Sequence, residues 1–380
     1  MKPVTNAPAA YYPALTGLRA LAALAVYCFH QRDSPLLGSS ALDAVIRSGL
    51  SELHIGVSVF FTLSGFLITK RYAKQQFSRA AWGQYVWHRA ARILPVYVLL
   101  LTATFAVQGP GGNSLGNWLG LYVVNVTLVK GLVERWFLGF IPQAWSLTVE
   151  EGFYLLAPLV FWLGWRYRPA RAWPLLAAGL GVLGLATYSA LPALGTRLFV
   201  LQATIFGRLP EFLVGAAFAW APPRTGRGRA TAGGVAAMLA VLGFMLIAQQ
   251  FSNKVSLNSY PGVLLNNWLL PVATGLLLHG LATERTRLGR ALSTPPAQQL
   301  GRASYCFYLL HMGLLPAILE PWLGRWLSVG GAAAALLGLL GLAALALHHY
   351  FEQPAYRWLL ARFAGGRPAA SSTAISVPRG

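Results

Sequence analysis

The chain is short of acid: ten of its 380 residues are Asp or Glu, against thirty Lys and Arg. Only two aspartates occur, Asp33 and Asp43, and they make no paired metal site. No Walker A run, no HExxH and no GxSxG is present, so ATP-driven pumping, metalloprotease and serine-hydrolase chemistry lack the residues they need. Cysteine is nearly absent too. Cys28 and Cys306 offer neither a disulfide framework nor metal-ligand spacing, and no metal site is expected. They read as inert small core residues. Charge of either sign is scarce, at 11% of residues, which excludes a disordered chain and an ordinary soluble domain. Strictly alternating ten-residue segments are missing, which argues against a transmembrane β-barrel. The start, MKPVTNAPAAYYP, lacks the basic region and cleavage site of a signal peptide, so the first apolar stretch is expected to stay as a helix.

What is abundant is apolar: 56% of residues are hydrophobic and mean hydropathy is +0.53. Runs long enough to span a bilayer recur along the chain, each closed by a basic cluster or a Gly/Pro break. The expected fold is all-α, a polytopic transmembrane bundle of about ten spans: 14–30, 54–69, 93–108, 145–165, 172–190, 198–219, 231–249, 263–282, 303–320 and 331–349. With the N-terminus cytoplasmic, 21 of the 30 Lys and Arg fall on the cytoplasmic side, seven outside and two within spans. That asymmetry is the positive-inside signal, and ten crossings return the C-terminus to the cytoplasm. It also accounts for the net charge of +20, so no nucleic-acid partner is expected. Segment 118–143 is read as re-entrant or surface-lying on the outer side, because one crossing there would invert the charge pattern after it. The expected organisation is a cytoplasmic N-terminus (1–13), one membrane domain (14–357) and a cytoplasmic end with a flexible tail (358–380).

Charges inside the spans carry the functional signal. A guanidinium in a spanning helix is costly unless a partner or a hydrated cavity receives it. Arg19 stands eleven residues before His30 in LTGLRALAALAVYCFH. At ~100° per residue that is about three turns, so both side chains share one stripe, roughly 16 Å apart along the axis. Glu150 and Glu151, Arg208 with Glu211, and His311 are the other charged or titratable groups in apolar surroundings. Arg208 and Glu211, three apart, can neutralise each other locally, and both a register-fixing pair and a substrate contact fit them. His311 fits helix packing and substrate contact equally. The basic, aromatic stretch 70–97 can lie on anionic headgroups. It can also clamp the phosphates of a large anionic ligand, since Arg89 and Arg92 share a helical face and guanidinium forks suit phosphate. The GLGVLG run at 179–184 lies inside an apolar helix with no preceding strand and reads as close helix packing.

These segments resemble the acyltransferase-3 family of integral-membrane proteins. The Arg-x10-His spacing (19–30), GVSVFFTLSGFLI (56–68), RAARILPVY (89–97), WSLTVEEGFYLLAP (145–158), GRASYCFYLLH (301–311) and FEQP (351–354) are similar to six of its motifs, in order. The resemblance implies transfer of an acyl group, acetyl as the default, from acyl-coenzyme A to a hydroxyl of a carbohydrate or glycosylated acceptor. Acyl-coenzyme A is then a co-substrate, and no covalently bound cofactor is expected. A sugar hydroxyl needs a base, and neutral imidazole suits the task near neutral pH, so His30 is expected as base or transient acyl carrier. Arg19 would neutralise the donor or a developing oxyanion. Glu150 would orient His30 or grip sugar hydroxyls. Arg89 and Arg92, joined by Lys70 and Ser64, would hold the donor; Arg208, Glu211, His311 and Tyr305 are substrate or structural polar groups. Some family members carry an extracytoplasmic esterase-like domain after the membrane part, which this chain does not show, so transfer would finish in the membrane domain or pass to a separate protein. The expected location is a bacterial cytoplasmic (inner) membrane. Two other classes fit intramembrane charge: a transporter of glycans or lipid-linked sugars, and a membrane glycosyltransferase using Asp33.

Overall fold

A computed structural model describes residues 11–32, 41–73, 79–111, 114–223, 228–252 and 254–364. The described residues are helical, with no strand among them. In order they form α1 (Pro13–His30), α2 (Ala41–Ser51), α3 (Ile55–Tyr72), α4 (Arg79–Gln108), α5 (Leu115–Val126), α6 (Trp145–Tyr167), α7 (Pro169–Ala190), α8 (Arg197–Ala203) and α9 (Ile205–Trp220). After these come α10 (Arg229–Ser252), α11 (Tyr260–Leu264), α12 (Leu270–Thr283), α13 (Arg287–Leu292), α14 (Pro295–Leu310), α15 (Leu314–Leu323), α16 (Val329–Leu347) and α17 (Gln353–Ala364).

Among the described residues nine helical stretches are long and apolar enough to cross a membrane, and a tenth crossing arises if the bent pair α14–α15 counts as one. The expected continuous span 303–320 is therefore corrected. The chain turns by 87° between α14 and α15, at a Gly313 with φ +95°, a left-handed conformation glycine adopts without steric cost. The basic stretch after α3 is also more regular than a connecting loop, since α4 already begins at Arg79 and runs thirty residues. Residues 115–141 supply no spanning helix. α5 has only twelve residues, about 18 Å at 1.5 Å each, too short for a ~30 Å hydrocarbon core. Of the expected C-terminal tail, residues up to Ala364 belong to α17, and 365–380 lie outside the described residues.

Two contacts set the bundle's centre. α3 and α9 cross so closely that a Cβ on Gly65 would meet the Phe212 carbonyl oxygen at 2.0 Å. A Cβ on Gly215 would meet Thr62 O at the same 2.0 Å. Small residues let the two backbones touch, as membrane helices require when lipid offers no hydrophobic drive to association. Around that crossing Phe61, Phe212 and Phe153 stack in series, with centroids 4.8 and 4.3 Å apart. Beside it a buried polar network ties α3, α9 and the turn before α12 together. Arg208 pairs with Glu211 at 3.0 Å, and Arg208 Nη1 donates to Asn267 Oδ1 at 2.7 Å. Ser58 donates to Asn266 Oδ1 at 3.0 Å. Both asparagines stand in a π-helical turn, Leu265–Leu269, whose wider winding brings consecutive side chains onto this network.

Candidate active site

The second named polar set collects at one end of α1. Arg19 donates through Nε to Ser304 Oγ of α14 at 3.1 Å and lies over the Phe60 ring, 5.7 Å from its centroid. It borders a cavity of about 300 Å3 whose wall also carries Ser64, Lys70, Arg71, Arg89, Arg92, Glu150, Tyr154 and Tyr305. Arg89 and Arg92 reach it from one face of α4. The Arg89 guanidinium sits between the rings of Tyr72 and Tyr154, 5.8 and 5.6 Å from their centroids, which fixes its plane. Its buried Nε meets no hydrogen-bond acceptor among the described residues, leaving donor capacity in reserve. Tyr305 is oriented by donating to Ile93 O at 2.7 Å. Glu150 accepts from Ser64 Oγ at 2.6 Å and from the Tyr154 hydroxyl.

A second, much smaller cavity of about 50 Å3 continues inward. It shares Arg19, Ser64, Glu150 and Tyr305 with the first and Val57 and Tyr308 with a third. The third, about 500 Å3, opens at the other end of α1 and is lined by His30, Arg32, His54, Gln143, Trp145, Arg208 and Tyr308 among others. Three cavities thus lie in series along α1. The periodicity that puts Arg19 and His30 on one stripe gives the first to the cationic end and the second to the far end.

At that far end the His30 ring is half-buried. Its Nδ1 lies 2.9 Å from Val26 O and 3.1 Å from His311 Nε2. Glu150 does not orient it. That expectation is corrected, because Glu150 is on the wall shared by the first cavity and the small second one, bonded to Ser64 and Tyr154. His311 is in place because α14 ends there. The freed carbonyls of Leu309 and Met312 are taken by Gln143 Nε2, at 2.8 and 3.4 Å, and Tyr308 OH returns to Gln143 O at 2.9 Å. Arg208 and Glu211 lie in the central network, fully buried, with Arg208 also on the wall of the third cavity.

Sequence reasoning missed His54. It lines the third cavity, and its Nε2 lies 3.3 Å from Glu52 Oε2. Glu52 in turn holds Ser256 through its backbone N–H at 3.0 Å and its hydroxyl. The signal was an acid and an imidazole two apart at the start of an apolar run. Asp33, the residue of the glycosyltransferase alternative, lies outside the described residues. Among the described residues one group has metal-ligating composition: Cys306, His348 and Glu352. Its atoms already satisfy one another, the Cys306 thiol donating to Glu352 at 3.2 Å and His348 Nδ1 lying 2.6 Å from the same carboxylate.

An all-helical, multi-pass bundle with cationic and imidazole groups facing internal cavities is a membrane protein built around a polar site. Its family is acyltransferase: the acyltransferase domain family matches residues 12–352, and the chain belongs to that family, acyltransferase-3. It is 28% identical to the acyltransferase MdmB of Streptomyces mycarofaciens over 394 aligned positions, 95% of this chain and 94% of that protein. It is 27% identical to the peptidoglycan O-acetyltransferase OatA of Listeria monocytogenes over 83% of this chain. There the chain spans about half the relative's length, 51%. No solved structure matches the chain.

Proposed function

We propose that the protein transfers an acyl group from acyl-coenzyme A to a hydroxyl of a carbohydrate or glycosylated acceptor, across a bacterial cytoplasmic membrane. The observation that carries this reading is the series of three cavities, arginine-lined at one end and His30-lined at the other. The donor is bifunctional in shape, a polyanionic head on a thin thioester-bearing arm. The head suits Arg89, Arg92, Lys70 and Arg71, which offer forked and point charges to phosphate. The arm suits the neck. At about 50 Å3 it is a sixth of the cationic cavity and a tenth of the cavity beyond, a constriction that suits a thin arm. For that reason the thioester crosses to the acceptor, and a glycan transporter would need a wider route.

In this reading the acceptor hydroxyl lies in the outer cavity and gives its proton to His30 as its oxygen attacks the thioester carbonyl. The C–S bond then breaks and the thiolate recovers a proton from the imidazolium, yielding the ester and free thiol. Arg19, at the wall common to the first two cavities, holds the donor on its path and balances its charge. Glu150 and Ser64 shape the neck. In this reading the cationic cavity faces the cytoplasm, where acyl-coenzyme A resides, the side to which the positive-inside rule assigns the basic clusters.

The test is acylation of cell-envelope glycan by full-length protein with labelled acyl-coenzyme A, comparing wild type, His30→Ala and Arg19→Ala after each is shown folded. Loss of general-base help is expected to cost about 10²–10⁴ in rate. Undiminished transfer by His30→Ala would end the assignment. An acceptor that emerges with unchanged mass would point to transport.

A further inference from the structure

The geometry points to His311 as the positioning residue that fixes His30 in one tautomer and steadies its proton, an inference that rests on His30 being the base. Each neutral imidazole carries a single N–H, so neighbours decide which nitrogen holds it. His311 Nδ1 lies 2.6 Å from Tyr308 O, a pure acceptor, and must therefore be the protonated nitrogen. His311 Nε2 is then a bare lone pair, 3.1 Å from His30 Nδ1. His30 Nδ1 also faces Val26 O at 2.9 Å. Two acceptors converge on it, so His30 Nδ1 carries the hydrogen and shares it between them. Every other assignment of neutral rings sets lone pair against lone pair. What remains is a His30 Nε2 free of its proton, on a ring that lines the outer cavity.

The division of labour follows from burial. His311 is 2% exposed, does not line the outer cavity and has both nitrogens engaged, so it cannot touch substrate. It is also held firmly. Its ring is parallel to Phe307, at an interplanar angle of 11°, and Gln143 ties off the helix end on which it stands. When His30 Nε2 takes the acceptor's proton, the ring becomes an imidazolium whose Nδ1–H still points at a neutral acceptor. His311 thus fills the place a carboxylate fills in a serine-hydrolase triad, without adding a negative charge at this depth. The 87° break between α14 and α15 serves this arrangement, because a helix continuing past residue 310 would keep the Leu309 and Met312 carbonyls that Gln143 now caps.

The experiment is a cycle on the full-length enzyme: His311→Leu, His311→Gln, His30→Ala, and His30→Ala with His311→Leu, each checked by thermal melting. Expected are a ten- to hundredfold fall in kcat for His311→Leu with donor KM unchanged, substantial recovery in His311→Gln, whose amide oxygen can accept from Nδ1–H, and no further loss from His311→Leu once His30 is gone. Nitrogen-15 NMR of histidine-labelled protein should show His30 protonated at Nδ1 and bare at Nε2. Equal losses from His311→Leu in both backgrounds, or His30 protonated at Nε2, would overturn the inference. Full activity in His30→Ala would instead remove the base itself, a separate failure that leaves the tautomer still readable by NMR.

Discussion

Ser64 Oγ donates to Glu150 Oε1 at 2.6 Å, joining α3 to α6 at the neck between the cationic cavity and the small cavity beyond it. Glu150 is thus one of few acids in a wall otherwise rich in guanidinium. In the proposed reading it sets both the width and the charge of the donor's passage. Glu150→Gln keeps a group that can bond Ser64 and Tyr154 but removes the charge; Glu150→Ala removes both. Acyl transfer is expected to fall about tenfold in the first and about a hundredfold in the second, from the loss of charged hydrogen bonds. Steady-state rates over a donor titration measure this, and wild-type rates in Glu150→Ala would dismiss the neck assignment.

Arg89 and Arg92 occupy the same cavity from α4. If, as proposed, they hold the donor's phosphates and not its thioester, replacing both by Ala should raise the donor KM by about ten- to a hundredfold and leave kcat within a few-fold. Wild-type donor binding should weaken with added salt, and the double variant should lose most of that dependence. Equal salt dependence in the two proteins would speak against the clamp.

Arg208 and Glu211 form a fully buried pair. Removing one partner strands a charge, so Arg208→Met and Glu211→Gln are each expected to cost about 3–5 kcal/mol. The double variant Arg208→Met with Glu211→Gln should be milder than the sum of the two single changes. Thermal melts in detergent check the order, and an additive double loss would contradict it.

Lys130 lies outside the spanning helices, buried, with Nζ donating to Gly139 O at 2.7 Å and Ile141 O at 2.6 Å. It holds the segment between α5 and α6 in the compact form that places Phe137, Leu138 and Gln143 on the cavity lined by His30. Burial pushes its ammonium down to about 7, against about 10.4 in an unfolded chain. Between those values the unfolded chain binds more protons, so this residue makes stability rise with pH from about 7 to 10. Melting temperature should climb over that range more in wild type than in Lys130→Met. The variant should also be less stable, by about 1–3 kcal/mol, for leaving two carbonyls without donors. Parallel curves for the two proteins would refute the account.

Bilayer physics made much of this protein legible from its residues alone. A spanning helix must be apolar for about twenty residues, so the spans showed as runs, and a charge within one stood out against them, as Arg19, Glu150 and Arg208 did. Helical periodicity alone put Arg19 and His30 on one stripe and Arg89 beside Arg92. The local signals ran out where partners are distant in sequence. His311 reaches His30 across 281 positions, and Ser64 reaches Glu150 across 86. The break at Gly313 was hidden because an apolar run reads the same whether straight or bent. His54 and Glu52 sat at a span's edge, where a polar residue is unremarkable until a cavity opens beside it. Composition and period determined that helices would cross the membrane and which few charges they would carry inside. Only tertiary packing decided which of those charges meet, because hydrogen bonds and cavities depend on distances between helices, and those are set by the close crossings of small residues.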